Sequence, residues 1–276
     1  MNALCVKAYD LRRDILDIVM AGKCGHIGGD MSVIDILTVL YDKMNISPEH
    51  PDAVDRDRFV LSKGHCVEAL YAVLADKGFL SLDEVLAGYS RFGSVYIGHP
   101  NNKLPGIEMN SGSLGHGLSL CVGMALAGKM DGRSYRTYTV MGDGELAEGS
   151  VWEAAMAASH YHLDNLCAVI DRNHLQISGP TENVMVQDDL NQRFSSFGWH
   201  VISVSEGNSI PALLTALDEA EQMRGKPVVI IANTTKGCGS PVMENKAEWH
   251  HKVPTPEEYE QILADFSARR EALLHE

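Results

Sequence analysis

No two of the six cysteines stand at a Cys-x-x-Cys spacing; they fall at positions 5, 24, 66, 121, 167 and 238, several of them inside apolar segments. This excludes a zinc knuckle and a disulfide frame, and reads as reduced thiols in a cytosolic protein. Positive charge is scarce: 23 Lys and Arg against 37 Asp and Glu leave a net charge of -14, which argues against holding nucleic acid through its phosphates. No run approaches the ~20 apolar residues of a membrane span. The opening segment MNALCVKAYDLRRDILDIVM carries charges through its apolar positions, so no signal peptide is expected. There is no internal repeat and no linker, and residues 1–276 are expected to form one α/β domain with a sizeable core.

What the sequence does have is concentrated between Gly142 and Gly179. The apolar run Tyr138 to Met141 reads as a strand that stops at Gly142-Asp143-Gly144, and the Ala-rich segment Ser150 to His162 follows as a helix. The two glycines let backbone approach a ligand closely, and the helix start offers N–H groups to a phosphate, which Asp143 would repel. A divalent cation between them resolves the conflict. The next strand, Leu166 to Ile170, ends in Asp171-Arg172-Asn173. If the two strands are parallel neighbours, Asn173 lies beside Asp143 at the same carboxyl edge, and with diphosphate oxygens, a backbone carbonyl and water the pair can complete the octahedral shell of Mg²⁺.

GDG, a helix, a strand and then DRN at this spacing resembles the thiamine diphosphate motif, in a form that looks like transketolase. The resemblance runs from about Ile15 to Glu258. It implies Mg²⁺ held by Asp143, Asn173 and the main-chain carbonyl of Leu175, with Gly142, Gly144 and Glu145 at the cofactor. Gly112, Ser113 and Leu114, in the glycine-rich turn before a small-residue helix (Leu118 to Lys129), would receive the aminopyrimidine. Glu148 would lie at a subunit interface. On the residues alone, Glu145 and Glu148 are carboxylates favouring a helix N-terminus.

Along the chain, Leu4 to Ala21 is an amphipathic packing helix. Gly25-His26-Ile27-Gly28-Gly29-Asp30 reads as a glycine-rich loop before a helix Ser32 to Lys43. Phe59-Val60-Leu61 is a buried strand that stops at Ser62-Lys63-Gly64-His65, and Tyr96-Ile97-Gly98-His99-Pro100 is an extended loop. Taken singly, His26 reads as a capping or turn histidine, His65 as a ligand or surface residue at a strand-to-helix junction, and His99 as part of a plain turn. Together they describe a funnel of neutral hydrogen-bonding groups. In transketolases the matching histidines reach the active site: by resemblance His65 also touches the diphosphate, His26 and His99 hold ketose hydroxyls, and His250 of Trp249-His250 reaches cofactor and substrate. Beyond Gly179, helix Asp189 to Ser196, strand Trp199 to Ser203, helix Ile210 to Arg224 and strand Pro227 to Ala232 complete a doubly wound parallel sheet, followed by a charged helix from Pro256 to His275.

The chain matches only the diphosphate-binding half of a transketolase. By that resemblance the pyrimidine-binding domain, which supplies the Glu that protonates the aminopyrimidine, is expected on a separate partner chain. The resemblance therefore implies a cytoplasmic split enzyme, two copies each of this chain and a C-terminal transketolase subunit, that moves a two-carbon ketol unit from a ketose to an aldose. Departures from the family pattern fall at His174 and Ser178, where Gly and Asp are expected, at Glu68, where a small residue is expected, and at His251, where Gly is expected. Glu68 and His251 bear on the substrate mouth, which leaves room for a specialised ketose, sulfonated or deoxy. Three alternatives stay open: another thiamine diphosphate enzyme component, a nicotinamide-dependent dehydrogenase, disfavoured because G-D-G-E lacks the G-x-G-x-x-G spacing, and a non-catalytic regulatory subunit.

Overall fold

The computed structural model describes residues 2–275. Helices α1 (Asn2–Gly22) and α2 (Ile27–Lys43) come first, followed by β1 (Arg58–Leu61), α3 (Val67–Asp76) and α4 (Leu82–Gly88). Next, α5 (Gly117–Met130) leads into β2 (Thr137–Gly142), and a 3-10 turn (Gly144–Ala147) separates β2 from α6 (Gly149–His160). After β3 (Leu166–Arg172) comes a small hairpin of β4 (Leu175–Gln176) and β5 (Gly179–Pro180), then α7 (Thr181–Val184) and α8 (Leu190–Ser196). The chain closes with β6 (His200–Val204), α9 (Ile210–Gln222), β7 (Val228–Asn233), a 3-10 turn (Ala247–His250) and α10 (Pro256–Leu274).

Five strands pair in the order β1-β2-β3-β7-β6, all parallel. A parallel sheet covered on both sides must be apolar on both faces, and the strands alternate between two cores accordingly. Phe59, Val140, Val169 and Ile230 pack with α1, α2, α3 and α9. Val60, Met141, Ile170 and Ile231 pack with α5, α6 and α8. The expected doubly wound sheet is present, and because every strand runs the same way, the ends of β1, β2, β3 and β7 all deliver their loops to one edge.

The helices follow from spacing and caps. In α9, Ile210, Leu213, Leu217 and Ala220 are buried along one face; α8 is capped by the Asp189 carboxylate, which accepts from the Asn191 and Gln192 amides; α10 opens with a Thr255–Glu258 capping box. One element differs from the sequence reading. The segment Gly25 to Asp30 is not a loop throughout, since α2 already begins at Ile27. Gly28 and Gly29 serve close approach within the helix: a Cβ on Gly28 would meet the Trp249 carbonyl oxygen at 2.6 Å, and one on Gly29 the Cys66 sulfur at 2.7 Å.

Ile170 is fully buried on the α5–α6 side of β3. Its truncation in Ile170→Ala should cost roughly 2–5 kcal/mol of stability in a urea titration. A loss below about 1 kcal/mol would mean that this layer is not packed as described.

Candidate active site

The turns after β1, β2, β3 and β7 enclose a cavity of about 370 Å³ at the carboxyl edge. Among the residues lining it are His26, Lys63, His65, Asp143, Lys236 and His250. In-register pairing of Gly142 with Asp171 carries Asp143 and Asn173 to the same carboxyl edge. There the Asp143 carboxylate accepts from the Gly144 amide at 2.8 Å and the His174 amide at 2.7 Å. The Asn173 side-chain oxygen accepts from the Leu175 amide at 3.2 Å, and its nitrogen donates to Ser32 Oγ at 3.2 Å. The Leu175 carbonyl accepts from Lys236 Nζ at 3.4 Å.

Beneath these groups runs a buried charge network. Lys63, 1 % exposed, pairs with Asp171, 0 % exposed, and donates to the Gly29 carbonyl at 3.3 Å. Asp171 also accepts from Ser32 Oγ at 2.6 Å and from the Thr234 hydroxyl. Burial is the largest influence and pulls the Lys63 ammonium down, but Asp171, together with Cys66 and Asp30, holds it above its ordinary value. Asp143 has no such cation. Burial, and then the charge of Asp171, push its carboxyl up to about 6.

The cavity can therefore hold both an anion and a cation. Lys63 and Lys236 present positive charge, while Asp143, the Asn173 amide oxygen and the Leu175 carbonyl present oxygen donors in a crowded, anion-strained corner. Among the described residues no three His, Cys, Asp or Glu side chains assemble as a metal site. A cation here would be held by one carboxylate, one amide oxygen and one carbonyl, the hard oxygen set that suits Mg²⁺ once phosphate oxygens and water complete it. These residues fit a Mg²⁺-bound diphosphate.

The four sequence-predicted histidines converge. Ring centroids of His65, His99 and His250 lie 5.2, 6.5 and 5.4 Å from that of His26. His251 joins them at 4.8 Å. His26 is the residue preceding α2 and its side chain makes no capping bond, so the ring is available to the cleft. His99 stands at the exposed mouth, against Gly112, where a Cβ would meet its ring at 2.2 Å. Lys236 Nζ lies 3.1 Å from His250 Nδ1; an ammonium only donates, so Nδ1 accepts and the ring proton sits on Nε2.

Gly112, Leu114, Gly142, Gly144 and Glu145 also line the cavity. Glu145 does so with both oxygens engaged, one by Ser62 and the Gly115 amide at 2.8 Å, the other by the Gly142 amide at 3.1 Å; it ties three loops together. Ser113 and Glu148 are exposed and outside the lining. Sequence reasoning assigned no role to Lys63, Lys236 or Asp171. A lysine directly after a strand at the carboxyl edge was the available signal.

Fold and site together define an α/β protein whose ligand cleft lies where parallel strands deliver their loops. Residues 4–266 match the family model described as transketolase, thiamine diphosphate binding domain. The chain belongs to the transketolase family. It is 50% identical over 263 residues to an apulose-4-phosphate transketolase subunit of Phocaeicola vulgatus, covering 95% of this chain and 93% of that one. It is 41% identical to a 6-deoxy-6-sulfo-D-fructose transketolase subunit of a Clostridium species, covering 87% and 88% of the two chains. Among solved structures, transketolase of Campylobacter jejuni superposes with a TM-score of 0.91 at 28% identity over 99% of this chain and 46% of that one. The chain thus spans somewhat under half the length of that enzyme.

The cleft histidines should be neutral well below their ordinary pKa. Burial, then His251 and His99, pull His26 down to about 4; burial and Lys236 take His250 to about 3; burial and Lys63 hold His65 well below its usual value. The unfolded chain then binds more protons than the folded one between about pH 4 and 6.5, so these groups make stability rise with pH across that window. Ring resonances followed by NMR should show His26 and His250 neutral at pH 5, and His65 titrating below its ordinary value. A ring titrating near 6.5 would contradict the burial described.

Proposed function

We propose that this chain, as a single domain, is the diphosphate-binding subunit of a two-chain, Mg²⁺-dependent transketolase. Asp143, Asn173 and the Leu175 carbonyl would hold the metal. Lys63, Lys236 and His65 would face the diphosphate, with Gly142, Gly144 and Glu145 forming its wall, and Gly112, Ser113 and Leu114 would meet the aminopyrimidine. The observation that carries this reading is the convergence of Asp143 and Asn173 from adjacent parallel strands onto a cavity that also contains two buried lysines. Thiamine diphosphate, when bound, supplies the nucleophile and the electron sink for cleavage next to a ketose carbonyl. The protein's own part is to hold four neutral imidazoles where ketose hydroxyls would lie. Neutral rings can accept a hydroxyl proton, and His250, protonated on Nε2, can also donate a hydrogen bond.

The need for a partner chain is supported by relatives that are themselves named as transketolase subunits and match almost end to end. It is also supported by an open face on α5, where Ser119, Gly123 and Ala127 are exposed and nothing lies within 4 Å of a Cβ built on Gly123. We assign that face, with the exposed Glu148, to the pyrimidine-binding partner in an assembly of two copies of each chain. The buried thiols Cys66, Cys121 and Cys167 fit a cytoplasmic setting, and no helix among the described residues is long and apolar enough to cross a membrane.

For the donor we favour a branched or otherwise specialised ketose phosphate, apulose 4-phosphate first, after the relative that is 50% identical. His251, exposed and packed on His26, would meet such a donor at the mouth. Mixing the chain with the product of the neighbouring coding sequence, thiamine diphosphate and Mg²⁺ should give ketol transfer from apulose 4-phosphate to an aldose phosphate. Each chain alone should be at least 100-fold less active, and Asp143→Ala should abolish turnover. Full activity of the Asp143→Ala mixture would sink the proposal.

A further inference from the structure

Asp30 opens α2 and Glu68 opens α3, and both side chains are 0 % exposed. Asp30 Oδ1 accepts from the Ala69 amide at 3.1 Å and Glu68 Oε1 accepts from the Tyr89 hydroxyl. The second oxygen of each, Asp30 Oδ2 and Glu68 Oε2, is buried with no donor. The two side chains lie in hydrogen-bonding contact with each other, and they cannot both stay charged in such a place, because burying one unpaired charge already costs several kcal/mol. A single proton held between the two carboxyls removes one of the two charges and supplies a hydrogen bond that the pair otherwise lacks. We propose that Asp30 and Glu68 share a single proton at neutral pH, and that this pair is the positioning element that seats His26 over the cavity.

The seating is visible in the packing. A Cβ on Gly25 would lie 2.5 Å from Glu68 Oε1, and one on Gly22 2.3 Å from the Tyr89 ring. The turn from α1 to α2 therefore rests on Tyr89 and Glu68, and the His26 amide faces the Glu68 carboxyl. Tyr89 reaches toward the second histidine turn as well, its hydroxyl 3.8 Å from a Cβ built on Gly98, next to His99. The groups facing the pair are Lys63 and Cys66 from the turn after β1, Tyr71 from α3, Tyr89 from the end of α4, and His26 from the α1–α2 turn, with Cys24 of that turn facing Tyr89. The one cation among them, Lys63, is already paired with Asp171. Burial, and for Asp30 the charge of Glu68 as well, push Glu68 up to about 7 and Asp30 well above the carboxylate range, the direction expected of a pair that keeps a proton which the unfolded chain has lost.

The proton-sharing claim stands apart from the transketolase reading; only the catalytic use of His26 rests on it. Calorimetric unfolding of the full chain at pH 7, in buffers of different ionisation enthalpy, counts the protons released. The wild type should release about one proton more than Glu68→Gln or Asp30→Asn, in which an amide hydrogen replaces the shared one; equal release overturns the sharing. The NMR position of the His26 ring, assigned through His26→Gln, should be kept in Glu68→Gln and shifted in Glu68→Ala. An unmoved ring in Glu68→Ala overturns the seating. Should Glu68→Ala not fold, Tyr89→Phe, which removes one donor to Glu68, is read in the same way. Neither measurement needs cofactor, partner or turnover, so failure here and failure of the functional proposal are distinguishable.

Discussion

The buried ion pair between Lys63 and Asp171 is the constraint on which the site depends. Lys63 follows β1 and Asp171 lies at the end of β3; Ser32 from α2 and Thr234 from beyond β7 donate to the same carboxylate. One side chain thereby fixes the relative heights of three strand ends and one helix start. Taking a partner from such a pair leaves an uncompensated charge in the interior, with a cost of about 3–5 kcal/mol. The reward for keeping it is geometric: the loops above it have one arrangement.

That arrangement sets the electrostatics of the cleft. Asp171 is satisfied by Lys63 and two hydroxyls, whereas Asp143, close above it, is bonded only to backbone amides and feels Asp171 as a like charge. The corner is short of positive charge at the point where carboxylate, amide and carbonyl oxygens meet. Lys236, which donates to the Leu175 carbonyl at 3.4 Å, is buried beside Lys63, and its ammonium is pulled down by burial and then by that neighbour. A site that brings a carboxylate and carbonyl oxygens together with two buried ammonium groups is matched by a cation bridged to an anion, which is how a Mg²⁺ diphosphate presents itself.

Much of this was legible in the sequence because its signals are local. A strand that stops at Gly142-Asp143-Gly144 and another that stops at Asp171-Arg172-Asn173 can be recognised one at a time, and parallel pairing then brings Asp143 and Asn173 together. The histidines were recognisable through their glycine neighbours. What could not be read were partnerships across distance. Nothing near Asp171 in the chain announces Lys63, and nothing near Glu68 announces Asp30, 38 positions away. The glycines of α2 misled for a related reason: Gly28 and Gly29 look like loop residues, but they are needed by Trp249 and Cys66, which arrive from far along the chain. Lys236 acquires its meaning only beside His250 and Leu175.

The central claim is that this edge of the sheet binds a diphosphate through a divalent cation. Its most direct test is a calorimetric titration of thiamine diphosphate into the chain together with its partner, first with Mg²⁺ present and then with the cation chelated. The account predicts saturable binding with Mg²⁺ that is lost on chelation. Equal affinity under both conditions, or no binding under either, would contradict it.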